Sequence, residues 1–232
     1  MKERPILFSA PMVRAILSGR KTQTRRVVKE LPCQCDAFEP DEIGWQMLGH
    51  SGRWWCRCCT SEQDAKFCPY GKRGDRLWVK ETWSNDALCM YPCPPVWYRA
   101  SDSIDRNDGH TCPKESRGRY ADCLACWEER ECRQFKWKPS IFMPRQASRI
   151  TLEIVGVRVE RLQDISEADA VVEGIDHFQR ADEPRVYRDY LQKELHYGLS
   201  AVGSYRTLWQ SINGLDSWAA NPWVWVVEFK RL

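Results

Sequence analysis

Two long stretches of the chain, residues 31 to 73 and 84 to 136, carry no sustained hydrophobic period. The first is rich in cysteine, glycine and polar residues, the second in Cys, Pro, Asp and Arg. Neither alternates like a strand nor repeats every three to four residues like a helix, so both read as irregular insertions. Any core must therefore come from the segments before, between and after them.

Those segments are short and mostly β-like. "PILFS" reads as an opening strand. "PMVRAILSG" puts Met12, Val13, Ile16 and Leu17 at a helical period, with Pro11 suited to the first turn and Gly19 to the position after the end. "RVVK" predicts a strand, and "GDRLWVKETW", residues 74 to 83, alternates behind a Gly-Asp turn. "ASRITLEIVGVRVERL", residues 147 to 162, predicts one long β-branched strand or a pair. "SEADAVVEG", residues 166 to 174, predicts a short helix capped by Ser166, boxed by Asp169 and stopped by Gly174. Residues 184 to 212 predict one or two helices, the second starting near Ser200, and "PWVWVVEFKRL" closes as a strand. Regularly spaced crossover units and internal repeats are missing from the pattern. It predicts an α+β fold with a mostly antiparallel, barrel-like sheet. The closing strand is too apolar to stand apart, so residues 1 to 232 read as one domain with two insertions.

With 232 residues, 43% of them apolar, the chain can bury one sizeable core. A net charge of +3 makes no whole-protein case for nucleic acid, so any such case rests on local clusters. "MKERPILFSAPMV" has no long apolar run, which predicts neither a signal peptide nor a membrane span. The expectation is a soluble, cytoplasmic protein without a membrane partner. In that reducing setting twelve cysteines argue for metal ligation or plain thiols over disulfides. "CLAC" offers Cys123 and Cys126 as a two-ligand knuckle, and a structural zinc would add two of Cys89, Cys93, Cys112 and Cys132. Such a metal would order an insertion that cannot easily build a core. Cys33, Cys35, Cys56, Cys58, Cys59 and Cys68 in the first insertion have spacings less typical of a zinc finger. The other reading of both sets is unpaired thiols.

"ILSGRKTQTRRVV", residues 16 to 28, packs four cations and two threonines just past the first helix. Two readings compete: a solvated or phosphate-binding surface, and an activated nucleophile. Lys21 and Thr24 are three apart, so one helical or 3₁₀ turn would set them on one side. Arg20, Arg25 and Arg26 add like charge, which favours a neutral lysine, and burial would push the same way. A neutral lysine can take the proton from a threonine hydroxyl, as in Ser-Lys hydrolases. In "VKETW" Val79 and Glu81 share one face, so Glu81 points into a pocket or pairs with Arg26 or Arg76 as a bridge. Arg145 and Arg149 flank a strand start and have the fork that grips phosphate, though exposed arginines are usually only solvated.

Four stretches, "ILSGRKTQTRR", "GDRLWVKETW", "LQDISEADAVVEGI" and "NPWVWVVEFKRL", together resemble the ASCH family, relatives of the PUA-like barrels, and occur in that family's order. The turn followed later by Gly-Asp-x-Leu is the most specific part. The whole chain, with "MPRQASRI" at 143 to 150, is similar to ASCH proteins of bacteriophages and prophages. It departs from many of them at Gln146, where they read Trp, and at Phe142, where they read His. The resemblance implies a PUA-like barrel with flanking helices, and says little about the insertions. One bacterial branch of the family hydrolyses N4-acetylcytidine to cytidine and acetate. It uses a lysine and a threonine of this turn and a glutamate late in a short helix. The resemblance implies those roles for Lys21, Thr24 and Glu173. Other branches are thought to bind or cleave RNA, so the implied partners are a modified cytosine nucleoside or RNA. Arg26, Glu81, Arg145 and Arg149 stand as candidate substrate-binding residues. Late in its helix, Glu173 meets the negative end of the dipole, which favours a protonated carboxyl able to serve the leaving amine. The competing reading is a solvent-facing glutamate beside a helix stop.

Overall fold

The computed structural model describes residues 1–29, 45–47, 53–56, 66–85, 96–101, 137–179, 181 and 184–232, with the backbone alone at 45–47, 53–56, 66–67 and 97. Strands are β1 (Glu3–Leu7), β2 (Gln23–Val27), β3 (Trp45–Met47), β4 (Arg53–Cys56), β5 (Lys66–Phe67), β6 (Arg76–Lys80) and β7 (Trp83–Ser84). They continue with β8 (Trp97–Tyr98), β9 (Thr151–Arg161), β10 (His177–Phe178), β11 (Val186–Asp189), β12 (His196–Leu199) and β13 (Trp223–Arg231). The α-helices are α1 (Ala10–Leu17), α2 (Glu167–Val172) and α3 (Ala201–Asn213). The principal sheet has the order β1-β6-β9-β13-β2, and smaller sheets join β10-β11-β12, β3-β4-β5 and β7-β8.

The fold is thus mixed α+β. In the principal sheet β13 runs antiparallel to both β2 and β9. The bonds Arg76 N–H to Lys2 O and Phe8 N–H to Lys80 O advance along both segments together, which is the sense of a parallel pair. The strand order is open, and no closed barrel occurs among the described residues.

Contacts divide the chain into two units. The first comprises Met1–Arg4, Ala15–Leu77 and Thr151–Leu232, the second Pro5–Arg14 and Trp78–Ile150. In the first, β9 is a single eleven-residue strand rather than a pair. Its partner β13 carries the register irregularity at Glu228/Phe229. Val224 and Val226, one face of β13, are fully buried with Leu162, Ala170, Ile175, Ala201, Tyr205 and Trp209. Each such aliphatic side chain contributes about 1.5–3 kcal/mol when buried. Ser166 caps α2 by accepting from the Asp169 N–H, and Ser200 caps α3 through the Gly203 N–H, a device worth about 1 kcal/mol each.

The helix expected first in 184–212 is instead the ribbon β11–β12. Tyr187, Tyr190, Leu191 and Leu195 mimic a helical stripe. The Asp189 side chain, however, accepts from the Leu191 N–H at 2.9 Å and turns the chain there. A turn residue that satisfies the backbone locally defeats the stripe. The strand expected at "RVVK" begins three residues earlier, at Gln23.

The second unit has a small core of Trp83, Met143 and Ala147. Two 3₁₀ turns, Ser140–Phe142 and Arg145–Ala147, lead into it. The Ser148 hydroxyl donates to Val79 O at 2.8 Å, and the Tyr98 hydroxyl to Ala147 O at 2.8 Å. Phe142 and Gln146 are both exposed.

Candidate functional site

Lys21 is placed by the end of α1. Gly19 takes φ +74 after the helix, and the Ala15 carbonyl accepts from the N–H groups of Arg20 and Lys21. The chain is then extended. Lys21 forms an isolated antiparallel bridge with Glu173, and Thr22 N–H donates to Val172 O. Glu173 closes α2, and the φ of +85 at Gly174 turns the backbone away. A Cβ at Gly174 would stand 2.7 Å from the Lys21 Cβ, so only glycine lets the two segments approach this closely.

At this crossing Lys21 Nζ donates to Glu173 Oε2 and to Glu173 O, both at 2.8 Å. The side chains are 1% and 4% exposed. Arg25 Nη1 donates to the other carboxylate oxygen, Glu173 Oε1, at 3.1 Å. Arg25 also reaches Glu160 and, at 3.2 Å, Asp169, and its guanidinium lies 5.8 Å from the Tyr205 ring centroid. Arg158 joins Glu160, Asp169 and Glu228 around the same network.

Burial pulls the Lys21 pKa below the ordinary lysine value; Glu173 opposes this, while Arg26 and Arg25 add to it. Of the three like charges expected to favour a neutral lysine, Arg25 and Arg26 act on it, while Arg20 pairs with Asp176 at 3.2 Å. Burial also pushes the Tyr205 hydroxyl well above the ordinary value, and the Glu173 charge adds to that. For Arg25, burial disfavours the charge, but Glu173, Tyr205 and Glu160 outweigh it and hold the guanidinium protonated.

Thr24 is buried at 1% exposure, within β2. The segment is a strand, not the helical turn inferred from the three-residue spacing, so Thr24 faces away from Gln23 and Arg25. Gln23 pairs with Glu228, and Glu228 with Gly156, so these share the face that carries Arg25. Gln23 is 2% exposed. Its side-chain nitrogen has no hydrogen-bond partner among the described residues.

The second-unit candidates assemble separately. Glu81, 1% exposed, accepts from Arg149 Nε and Nη2 at 2.9 Å each, a two-pronged pair. Its bridge partner is thus Arg149, not Arg26 or Arg76, because Val79–Glu81 alternation aims the carboxylate at the segment after the second 3₁₀ turn. The Arg149 guanidinium also stacks 4.0 Å from the Tyr98 ring centroid. Arg145 is exposed, 6.0 Å from the Trp78 ring centroid. Arg26, in the first unit, donates to Arg25 O at 3.3 Å and sits beside Tyr70.

An open cavity of about 440 Å³ lies elsewhere in the first unit, lined in part by Lys2, Arg4, Cys68 and Asp75; Lys21, Thr24 and Glu173 do not line it. Cys68 is a buried free thiol whose pKa burial pushes up to about 11, the state of an inert cysteine. The proposed zinc ligands Cys89, Cys93, Cys112, Cys123, Cys126 and Cys132 lie outside the described residues. Among the described residues there is no cluster of three His, Cys, Asp or Glu side chains fit to hold a metal. No helix among them is long and apolar enough to cross a membrane.

Arg25, Glu160, Asp169 and Gln23 escape a sequence reading that treats "RKTQTR" as a turn. A period-two reading of Lys21, Gln23 and Arg25 would have found three of the side chains on one strand face. No family model, no curated protein and no solved structure matches the chain.

Proposed function

We propose that the chain is an ASCH-type amidohydrolase of PUA-like ancestry that removes the acyl group from an N4-acylated cytosine nucleoside or a related modified base. One observation carries this reading: a fully buried lysine of lowered pKa is held 2.8 Å from a buried glutamate. An ammonium and a carboxylate so placed can exchange a proton and become amine and acid. That is the pair of states that base catalysis followed by acid catalysis needs.

In this reading the acyl group lies across the start of β2. Lys21 Nζ passes its proton to the Glu173 carboxylate and becomes a free amine. Thr24 Oγ1 attacks the acyl carbon while its proton goes to Lys21 Nζ. The C–N4 bond then breaks, Glu173 protonates the departing nitrogen, and an ester remains on Thr24. Lys21 passes its proton to Glu173 once more, and water attacks that ester with Lys21 taking its proton. Lys21 returns that proton to Thr24 Oγ1 as the acid leaves; the Glu173 proton then goes back to Lys21. The sum is amide plus water to acid plus amine. A structural zinc on four of the second-insertion cysteines belongs to the same reading. It rests on the "CLAC" spacing, and about one equivalent of zinc in protein purified without chelator is the result it requires.

The place of Thr24 on the strand face opposite Arg25 favours a second reading, a module that binds the nucleotide or single-stranded RNA without chemistry. Incubation with N4-acetylcytidine and with labelled RNA separates the two. The amidohydrolase releases acetate, and Thr24→Ala and Lys21→Ala lose that release. A binding module gives no acetate but a salt-dependent shift of RNA mobility, and shortened strands point to a ribonuclease.

A further inference from the structure

Gln23 is the least explained side chain of the site. It is 2% exposed, and its Nε2 has no partner among the described residues. A buried amide without a partner is costly and uncommon in folded proteins, and it calls for a specific reason. Its position suggests one. Gln23 lies between Lys21 and Arg25 along an extended segment, and both neighbours bond the Glu173 carboxylate. Two donors of that row are thus occupied and the middle one is open. The surrounding cations Lys21, Arg25 and Arg158 already face four carboxylates, Glu160, Asp169, Glu173 and Glu228. A further anion is therefore disfavoured, and the open donor suits a neutral acceptor, a carbonyl oxygen.

We infer that Gln23 is a specificity-determining residue whose Nε2 donates to the ring carbonyl oxygen of a bound pyrimidine base. The inference rests on the amidohydrolase reading and deepens it. On the exposed edge of cytosine the exocyclic nitrogen and the ring carbonyl lie on the two sides of the ring nitrogen. A carboxyl serving the first and an amide reading the second would grip that edge at both ends. Because the ring carbonyl does not change charge during deacylation, this contact acts on binding. An oxyanion contact would act on turnover instead.

The test compares two substrates in wild type and Gln23→Met: N4-acetylcytosine, and 4-acetamidopyrimidine, which lacks the ring carbonyl. Thermal unfolding verifies that the variant is folded. Gln23→Asn, which withdraws the amide by one methylene, gives the same readout should the methionine variant not fold. Wild type is expected to prefer N4-acetylcytosine by about tenfold in kcat/KM, expressed in KM, with the preference lost in the variant and kcat little changed. A preference that survives in the variant overturns the inference while leaving the amidohydrolase reading intact. So does wild type that deacylates both substrates equally, or a variant that loses kcat at unchanged KM. Release of acetate from neither substrate by wild type removes both.

Discussion

Glu173 and Glu81 are the same residue type at nearly the same burial, 4% and 1% exposed, yet their surroundings differ in kind. Glu81 meets a single arginine through two parallel bonds of 2.9 Å. A guanidinium does not give up its proton in a protein, so that pair cannot change its protonation from the cationic side. Tyr98 stacks on the same guanidinium and Ser101 accepts from it, which fixes the fork in place. Glu173 meets an arginine on one oxygen and a lysine on the other. The lysine is the partner whose pKa is lowered. One buried carboxylate is therefore clamped by a cation that keeps its proton, and the other is bonded by a lysine whose proton is more easily lost. Burial alone does not distinguish them; the partner's chemistry does.

The largest effect separates the two in turnover. Glu173→Gln is expected to lower acetate release from N4-acetylcytidine by about 10²- to 10⁴-fold, the range for loss of a general acid. Glu81→Gln, equally isosteric, should change it by less than about tenfold. Steady-state kinetics on both variants checks this, and equal losses would erase the distinction. The next effect lies in stability. Arg25→Met breaks a network of three carboxylates around a fully buried cation, and should cost about 3–5 kcal/mol in urea unfolding. Arg149→Met leaves Glu81 without its fork, but the Arg149 side chain is 26% exposed and water can reach the gap. A cost of about 2–3 kcal/mol is expected there. A larger loss from Arg149→Met than from Arg25→Met would reverse the ranking of the two sites.

The elements with strong local signals were legible in the sequence. Ser166 and Ser200 cap where their spacing to the helical stripes placed them, and Gly19 and Gly174 stop where an unhindered positive φ was needed. The burial of Val79 and Glu81 on one side of their segment followed from alternation. Three features were not legible, each for a physical reason. The ribbon at Val186–Leu199 carries a helical stripe that a single aspartate turn overrides. The parallel sense of β1 against β6 is a long-range choice that leaves no periodicity behind. At the candidate site the cations of "GRKTQTRR" suggested Lys21 by their crowding, but the pairing with Glu173 depends on residues about 150 positions apart. Only the topology brings them to one bridge. Arg25, read as mere like charge, turned out to bind the same carboxylate.

The smallest expected effect, and the one that probes the movable proton directly, is in pH dependence. Lys21 has a folded pKa below its unfolded value near 10.5. Between the two values the unfolded chain binds the extra proton, so stability rises with pH through that window, by at most ~1.4 kcal/mol per pH unit. The window is cleanest below about pH 9, where the buried tyrosines remain protonated in both states. Asp169 runs on the acid side. Burial works to raise its pKa, and Arg158 and Arg25 outweigh it, so the folded value lies below the ordinary one. Its contribution is present above the ordinary carboxylate range and is lost as pH falls through the folded value. Because this carboxylate is 27% exposed, that contribution is on the order of 1 kcal/mol. Thermal unfolding of wild type, Lys21→Met and Asp169→Asn across pH isolates the two limbs. The methionine variant should lose the alkaline rise and keep the acid limb. The asparagine variant should keep the alkaline rise and lose part of the acid limb, the rest belonging to Asp75, whose pKa is lowered, against burial, by its Lys2 and Arg4 partners. The Glu81→Gln variant should leave the alkaline rise as it is in wild type. An alkaline limb that persists without Lys21 would mean that the exchangeable proton resides elsewhere, and that Glu173, like Glu81, is only a clamp.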